Sequence, residues 1–149
     1  MIHVESRLGK LPVPKDLIEK AGSAALAQKS RDGELTVVLT SDEELKELNR
    51  RYLGIDAPTD VLSFPSSEID PETRATYLGD VLISVARAQA QARTAGHPLE
   101  AEVQLLVVHG VLHLLGFDHR RTTDKARMWS AQTKALERLG LAGITISEN

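Results

Sequence analysis

The chain has 149 residues, 42% hydrophobic and 26% charged, which fits one globular domain over residues 1–149 and excludes a disordered polypeptide. It has no cysteine, so disulfides, thiolate metal sites and cysteine nucleophiles are excluded together, in keeping with a reducing compartment. The net charge of −3 weighs against a general nucleic-acid binder, and no run has the apolar length of a signal peptide or a spanning helix, so a soluble cytoplasmic protein without a membrane partner is expected.

In chain order, Ile2–Val4 is a short alternating strand candidate. Pro14 opens a helix with Leu17, Ile18, Ala21, Ala25 and Leu26 on one face. The β-branched run Leu35–Leu39 predicts a strand. Ser41, with Glu44 three residues on, forms a capping box for a helix that runs through Leu45, Leu48 and Leu53 and stops at Gly54. A turn-rich GIDAPTD leads to the strand candidate VLSF, closed by Pro65, and residues 66–77 read as a polar loop. Val81–Ile83 predicts another strand, and Ser84 caps a helix that ends at Gly96. Helices are then expected from about Leu99 to Leu115 and from Thr123 to Leu139. The fold class that follows is α/β (α+β), a small mixed four-stranded sheet packed with about five helices. Strand order does not follow from these patterns.

The run VVHGVLHLLGFDH, residues 107–119, holds three of the five histidines. His109 and His113 are four apart, which on a helix puts both rings on one face, close enough to share a metal ion. The surrounding Leu and Val residues make this helix apolar all round, hence buried. A buried imidazole without a partner costs on the order of 1–3 kcal/mol. Gly116 is the residue type expected where the helix ends in a left-handed turn, which can return the chain so that His119 meets the other two. Three neutral nitrogens suit zinc (Zn2+, one per chain) with a fourth position open, the arrangement of a catalytic site at the end of a buried helix. Nickel, copper and iron also accept three imidazoles. Zinc peptidases with this spacing begin His-Glu, the Glu acting as general base. Gly110 stands there instead, which disfavours a metallopeptidase and leaves room for close approach of another backbone or of substrate.

The run HGVLHLLGFDH resembles the signature of the YbeY-type endoribonuclease family of bacterial ribosomal RNA maturation factors. LNRRYLGIDAPTDVLSFP (48–65), LGDVLIS (78–84) and PLEAEVQLLVVHG (98–110) are similar to that family as well, and the resemblance covers essentially the whole chain. It implies a single-domain metalloprotein with zinc on His109, His113 and His119 and hydrolytic activity on single-stranded RNA. It further implies a role in maturing the 3′ end of 16S ribosomal RNA and in ribosome quality control, with the small ribosomal subunit and its proteins as partners. The family usually has Arg directly after the Tyr of the second motif, where this chain has Leu53 after Tyr52. Arg50, three residues earlier, is the candidate to substitute for it in contacting RNA phosphate, ahead of Arg51.

RNA cleavage needs a nucleophile, charge stabilisation at phosphorus and protonation of the leaving oxygen. A three-histidine zinc either lowers the pKa of a bound water or binds the phosphate as a Lewis acid while the ribose 2′-OH attacks; both routes stay open. Asp118, next to His119, is a candidate general base, or else a partner that orients a ligand histidine. The resemblance puts the VLSF strand beside the metal cleft, which makes Thr59, Asp60 and Ser63 candidates to meet the RNA backbone, while Phe64 belongs either to the core or to a base-stacking surface. Arg120, Arg121, Lys125 and Arg127 form either a solvated helix face or an electropositive rim for a phosphate-bearing partner. His3 and His97 are not expected to act in catalysis. The competing functional class is a non-catalytic ribosome assembly factor whose zinc stabilises the fold.

Overall fold

A computed structural model of the chain describes residues 1–29, 32–118 and 121–145. Four strands, β1 (Ile2–Ser6), β2 (Glu34–Thr40), β3 (Val61–Pro65) and β4 (Tyr77–Ser84), form one sheet in the order β1-β2-β4-β3. The first three in that order are parallel and β3 is antiparallel to β4, so the sheet is mixed, as expected. Val37 of β2 stands in register with Val4 on one side and Val81 on the other. Five helices accompany the sheet: α1 (Lys15–Leu26), α2 (Asp42–Leu53), α3 (Val85–Ala95), α4 (Leu99–Leu114) and α5 (Thr122–Arg138). This is a single small α+β domain. Among the described residues no helix is long and apolar enough to cross a membrane.

The helix starts follow the sequence closely. Ser41 Oγ accepts from the Glu44 backbone N–H at 3.2 Å, and α2 ends at Gly54 in the left-handed region, φ +71°. The Glu44 carboxylate, however, accepts from Thr40 Oγ1 (2.6 Å) and pairs with Arg7 of the loop after β1 (2.5 Å). One strand differs from expectation. β4 runs from Tyr77 to Ser84, starting four residues before the expected Val81 and taking in Gly79 and Asp80. The strand lies between β2 and β3, and at Gly79 the Phe64 carbonyl approaches so closely that a Cβ would lie 2.2 Å from it.

Helices cover both faces, which is why β2 reads as a nearly continuous apolar run. Leu35, Val37, Leu39, Val81 and Ile83 belong to the main core with α1, α4 and α5. Val38, Leu62 and Leu82 point to the other face, where Leu45 of α2 closes a smaller cluster with Leu48 and Phe64. At the centre is α4, in which every residue from Ala101 to Leu112 is buried. Burial of those Leu and Val side chains contributes on the order of 1.5–3 kcal/mol each. The helix carrying the histidines is therefore the spine of the main core.

Candidate active site

His109 and His113, one turn apart on α4, bring their Nε2 atoms to 3.2 Å from each other, with the ring planes at 78°. His109 is 6% exposed. Its Nδ1 lies 3.0 Å from Oε1 of Gln132, a buried residue of α5. A carbonyl oxygen only accepts, so Nδ1 carries the proton and Nε2 keeps its lone pair toward His113. Trp129, one turn earlier on α5, sets its ring edge-on against His109 at 6.0 Å between centroids. This donor set fits a metal. Two imidazole nitrogens at zinc distance on a tetrahedral ion stand about 3.3 Å apart, close to the spacing found here.

Beyond the histidines α4 ends as its sequence predicts. Gly116 has φ +94°, its N–H donates to the His113 carbonyl (3.0 Å), and the Phe117 N–H donates to Leu112 (3.0 Å). Lys29, in the short 3₁₀ turn after α1, donates to the Leu115 carbonyl at 3.2 Å and stands 4.7 Å over the Phe117 ring. His119 and Arg120 lie outside the described residues.

Gly110 faces the sheet. A Cβ there would lie 2.5 Å from Val81 Cγ1 and 3.2 Å from Ser63 Oγ, and that hydroxyl donates to the Gly110 carbonyl at 2.9 Å. The space at this glycine is filled by the side chains of Val81 and Ser63, where another backbone or substrate was expected. A peptidase-type Glu has no room at this position.

The histidines open into a cleft of about 1120 Å³ bounded by the end of α2, the segment after it, β3, α3, the turn after α4, and α5. Thr59, Asp60, Ser63 and Asp118 all line it. Asp60 accepts from Gln91 Nε2 at 3.2 Å, while Gln91 Oε1 is buried without a hydrogen-bond partner among the described residues. Arg87 lines the cleft, but its guanidinium grips Asp42 at 3.1 and 3.2 Å. That contact, opposed by burial, holds the Asp42 carboxyl below the usual carboxylate range. Lys125 brings a second positive charge to the cleft, its ammonium 5.5 Å from the Trp129 ring centre.

The structure leaves Arg50 outside this group. Its side chain is exposed and bound to Glu47 at 2.5 and 3.2 Å, and α2 reaches the cleft through Asn49 and Leu53. Arg51 is 4.0 Å from the same Glu47. Phe64 meets Tyr52 edge-on at 5.6 Å and packs on the smaller core cluster. His3 sits 3.8 Å from Glu34, and His97 lies 2.6 Å from the buried Glu102; neither lines the cleft. Two supporting residues escape a reading of motifs alone. Gln132 interrupts the buried stripe Met128, Ala131, Ala135 of α5, and Asn49 is a buried polar residue one turn after Leu45. Asn49 Nδ2 donates to the Ala57 carbonyl at 2.9 Å and ties down the segment that borders the cleft. A polar side chain inside an apolar helical stripe was the available signal for both.

The sequence profile of the family described as Endoribonuclease YbeY matches residues 7–140. An Endoribonuclease YbeY of Persephonella marina is 40% identical over 140 residues, covering 93% of this chain and 92% of its own. One of Aquifex aeolicus is 48% identical over 122 residues, covering 81% and 80%. A Thermotoga maritima protein solved in solution superposes with a TM-score of 0.58 at 27% identity, over 94% of this chain and 92% of its own. With the profile spanning nearly the whole chain, this protein belongs to the Endoribonuclease YbeY family.

Proposed function

We propose that this protein is a zinc-dependent endoribonuclease that cuts single-stranded RNA in its cleft, working as one domain. Family membership makes it an RNA-cleaving hydrolase. The metal rests on one observation above all, the 3.2 Å approach of two histidine Nε2 atoms, one of them oriented by Gln132 through its other nitrogen. His109 and His113 would hold the ion together with His119, and a zinc there supplies Lewis acidity toward the phosphate.

The chain's own groups do the rest. Gln132 keeps the His109 proton on Nδ1. Trp129 shields that ring from water on one side. Lys125 and Arg87 both line the cleft and supply the positive charge that draws the phosphate in. Asp118 is assigned to proton uptake in the cleft. The substrate is the small-subunit ribosomal RNA near its 3′ end, the setting is the cytoplasm, and the task includes ribosome quality control with small-subunit proteins. These last assignments rest on the resemblance of the quoted motifs. Arg50 receives no role while it is bound to Glu47.

The test compares the wild type with His113→Ala, purified in parallel, for zinc content and for cleavage of single-stranded RNA. Cleavage confined to the metal-loaded wild type is expected. Equal cutting by both would mean a contaminating nuclease. A His113→Ala variant that still folds and supports ribosome assembly in cells would favour the assembly-factor reading.

A further inference from the structure

Seven large apolar residues are exposed among those described, and three of them fall within four positions: Tyr52, Leu53 and Ile55, at 61%, 58% and 53%. They occupy the last turn of α2 and the residues just after it. Leu53 and Ile55 line the same cleft as His109 and His113, and Tyr52 stands beside them with its ring held edge-on by Phe64 at 5.6 Å. Below them, Asn49 pins the segment by its bond to Ala57. The lip is thus apolar and anchored from beneath.

Its charge narrows the occupant. Between residues 52 and 58 the one ionisable acid or base besides the Tyr52 phenol is the exposed Asp56, an anion that repels phosphate. The cations that line the cleft, Arg87 and Lys125, belong to α3 and α5, and the flanking Arg50 and Arg51 face Glu47. A polynucleotide drawn to the cleft cations and to the histidines must place something uncharged on the lip, and the uncharged part of a nucleotide is its base. Apolar and aromatic surfaces take bases by their flat faces without regard to sequence. We propose that Tyr52, Leu53 and Ile55 form a platform for one unpaired nucleobase beside the phosphate that is cut. This rests on the endoribonuclease reading and adds to it which residues hold the substrate's base.

The test uses the metal-loaded protein and a labelled 2′-O-methyl oligoadenylate, checked for integrity after each titration. One abasic residue is moved along the oligonucleotide, and binding is followed by fluorescence anisotropy. For the wild type, one position should weaken binding about fivefold or more when it loses its base. Leu53→Ser/Ile55→Ser should bind the intact oligonucleotide less tightly by a similar factor and be indifferent to the abasic residue. Tyr52→Ala is the second variant; thermal melting confirms that each is folded. A wild type indifferent at every position, or variants with the wild-type dependence, would overturn the proposal. Variants that bind RNA normally but no longer pellet with small ribosomal subunits would make the lip a protein-docking surface, which overturns it equally. If the wild type neither binds nor cuts RNA, the endoribonuclease reading falls, and the platform with it.

Discussion

Gln132 and His109 are 23 residues apart in sequence and 3.0 Å apart in space, and their contact decides which imidazole nitrogen holds the proton. Replacing Gln132 with Leu keeps much of the volume and removes the acceptor. Zinc affinity should fall about 10- to 100-fold, the usual effect of removing an orienting partner. Competition with a chromophoric chelator measures this directly. Loss of the Gln132 acceptor should also cost about 1–3 kcal/mol of stability. Unchanged affinity would mean that packing by Trp129 alone orients the ring.

A second prediction concerns Gly110. Because a Cβ would lie 2.5 Å from Val81 Cγ1, Gly110→Ala should destabilise the protein by about 1–3 kcal/mol despite the better helix propensity of alanine. Gly110→Glu should cost more, by forcing a carboxylate against the sheet, and should yield no peptidase activity. Urea midpoints rank the three proteins. A Gly110→Ala variant as stable as the wild type would show that α4 can move off the sheet at no cost.

Much of the architecture was legible in the sequence because it is local. The Ser41 and Ser84 caps, the left-handed ends at Gly54, Gly96 and Gly116, and the i, i+4 pairing of His109 with His113 all depend on neighbours within a turn. What was not legible depends on distant partners. β4 starts four residues before the expected Val81 because β2 and β3 supply hydrogen bonds on both sides. Gln132 carries no mark of its partner beyond its place in an apolar stripe. The placement of Arg50 beside Leu53 rested on the i, i+3 spacing. On a helix Asn49 lies about 40° from Leu53 and Arg50 about 60° the other way, and the cleft is on the Asn49 side. Glu47 then holds Arg50 on the outer face.

Asp42 and Arg87 give a prediction in pH. The folded-state pKa of Asp42 is lowered, first by the hydrogen bonds from Arg87. The pair therefore adds stability above the unfolded carboxyl value of about 4, and that stability is lost as pH falls through the lower folded value. Both side chains are about one-third exposed, so the contribution is about 1 kcal/mol or less. Arg87→Met should be less stable than wild type by a constant margin above pH 5. That margin should shrink on acidification below about pH 4. Parallel stability curves down to pH 2 would mean that Asp42 gains nothing from Arg87.

The burial of α4 along its whole length has a dynamic consequence. Free energies of local opening range from near zero at exposed ends to the full unfolding free energy in the core. Amides from Ala101 to Leu112 sit at the upper end of that range, so they should exchange with solvent deuterium only when the whole molecule unfolds. The exposed residues Leu53–Asp56 at the cleft edge should exchange sooner. His109 belongs to the last unit to open. The spacing of the two imidazoles should therefore persist for the lifetime of the native state.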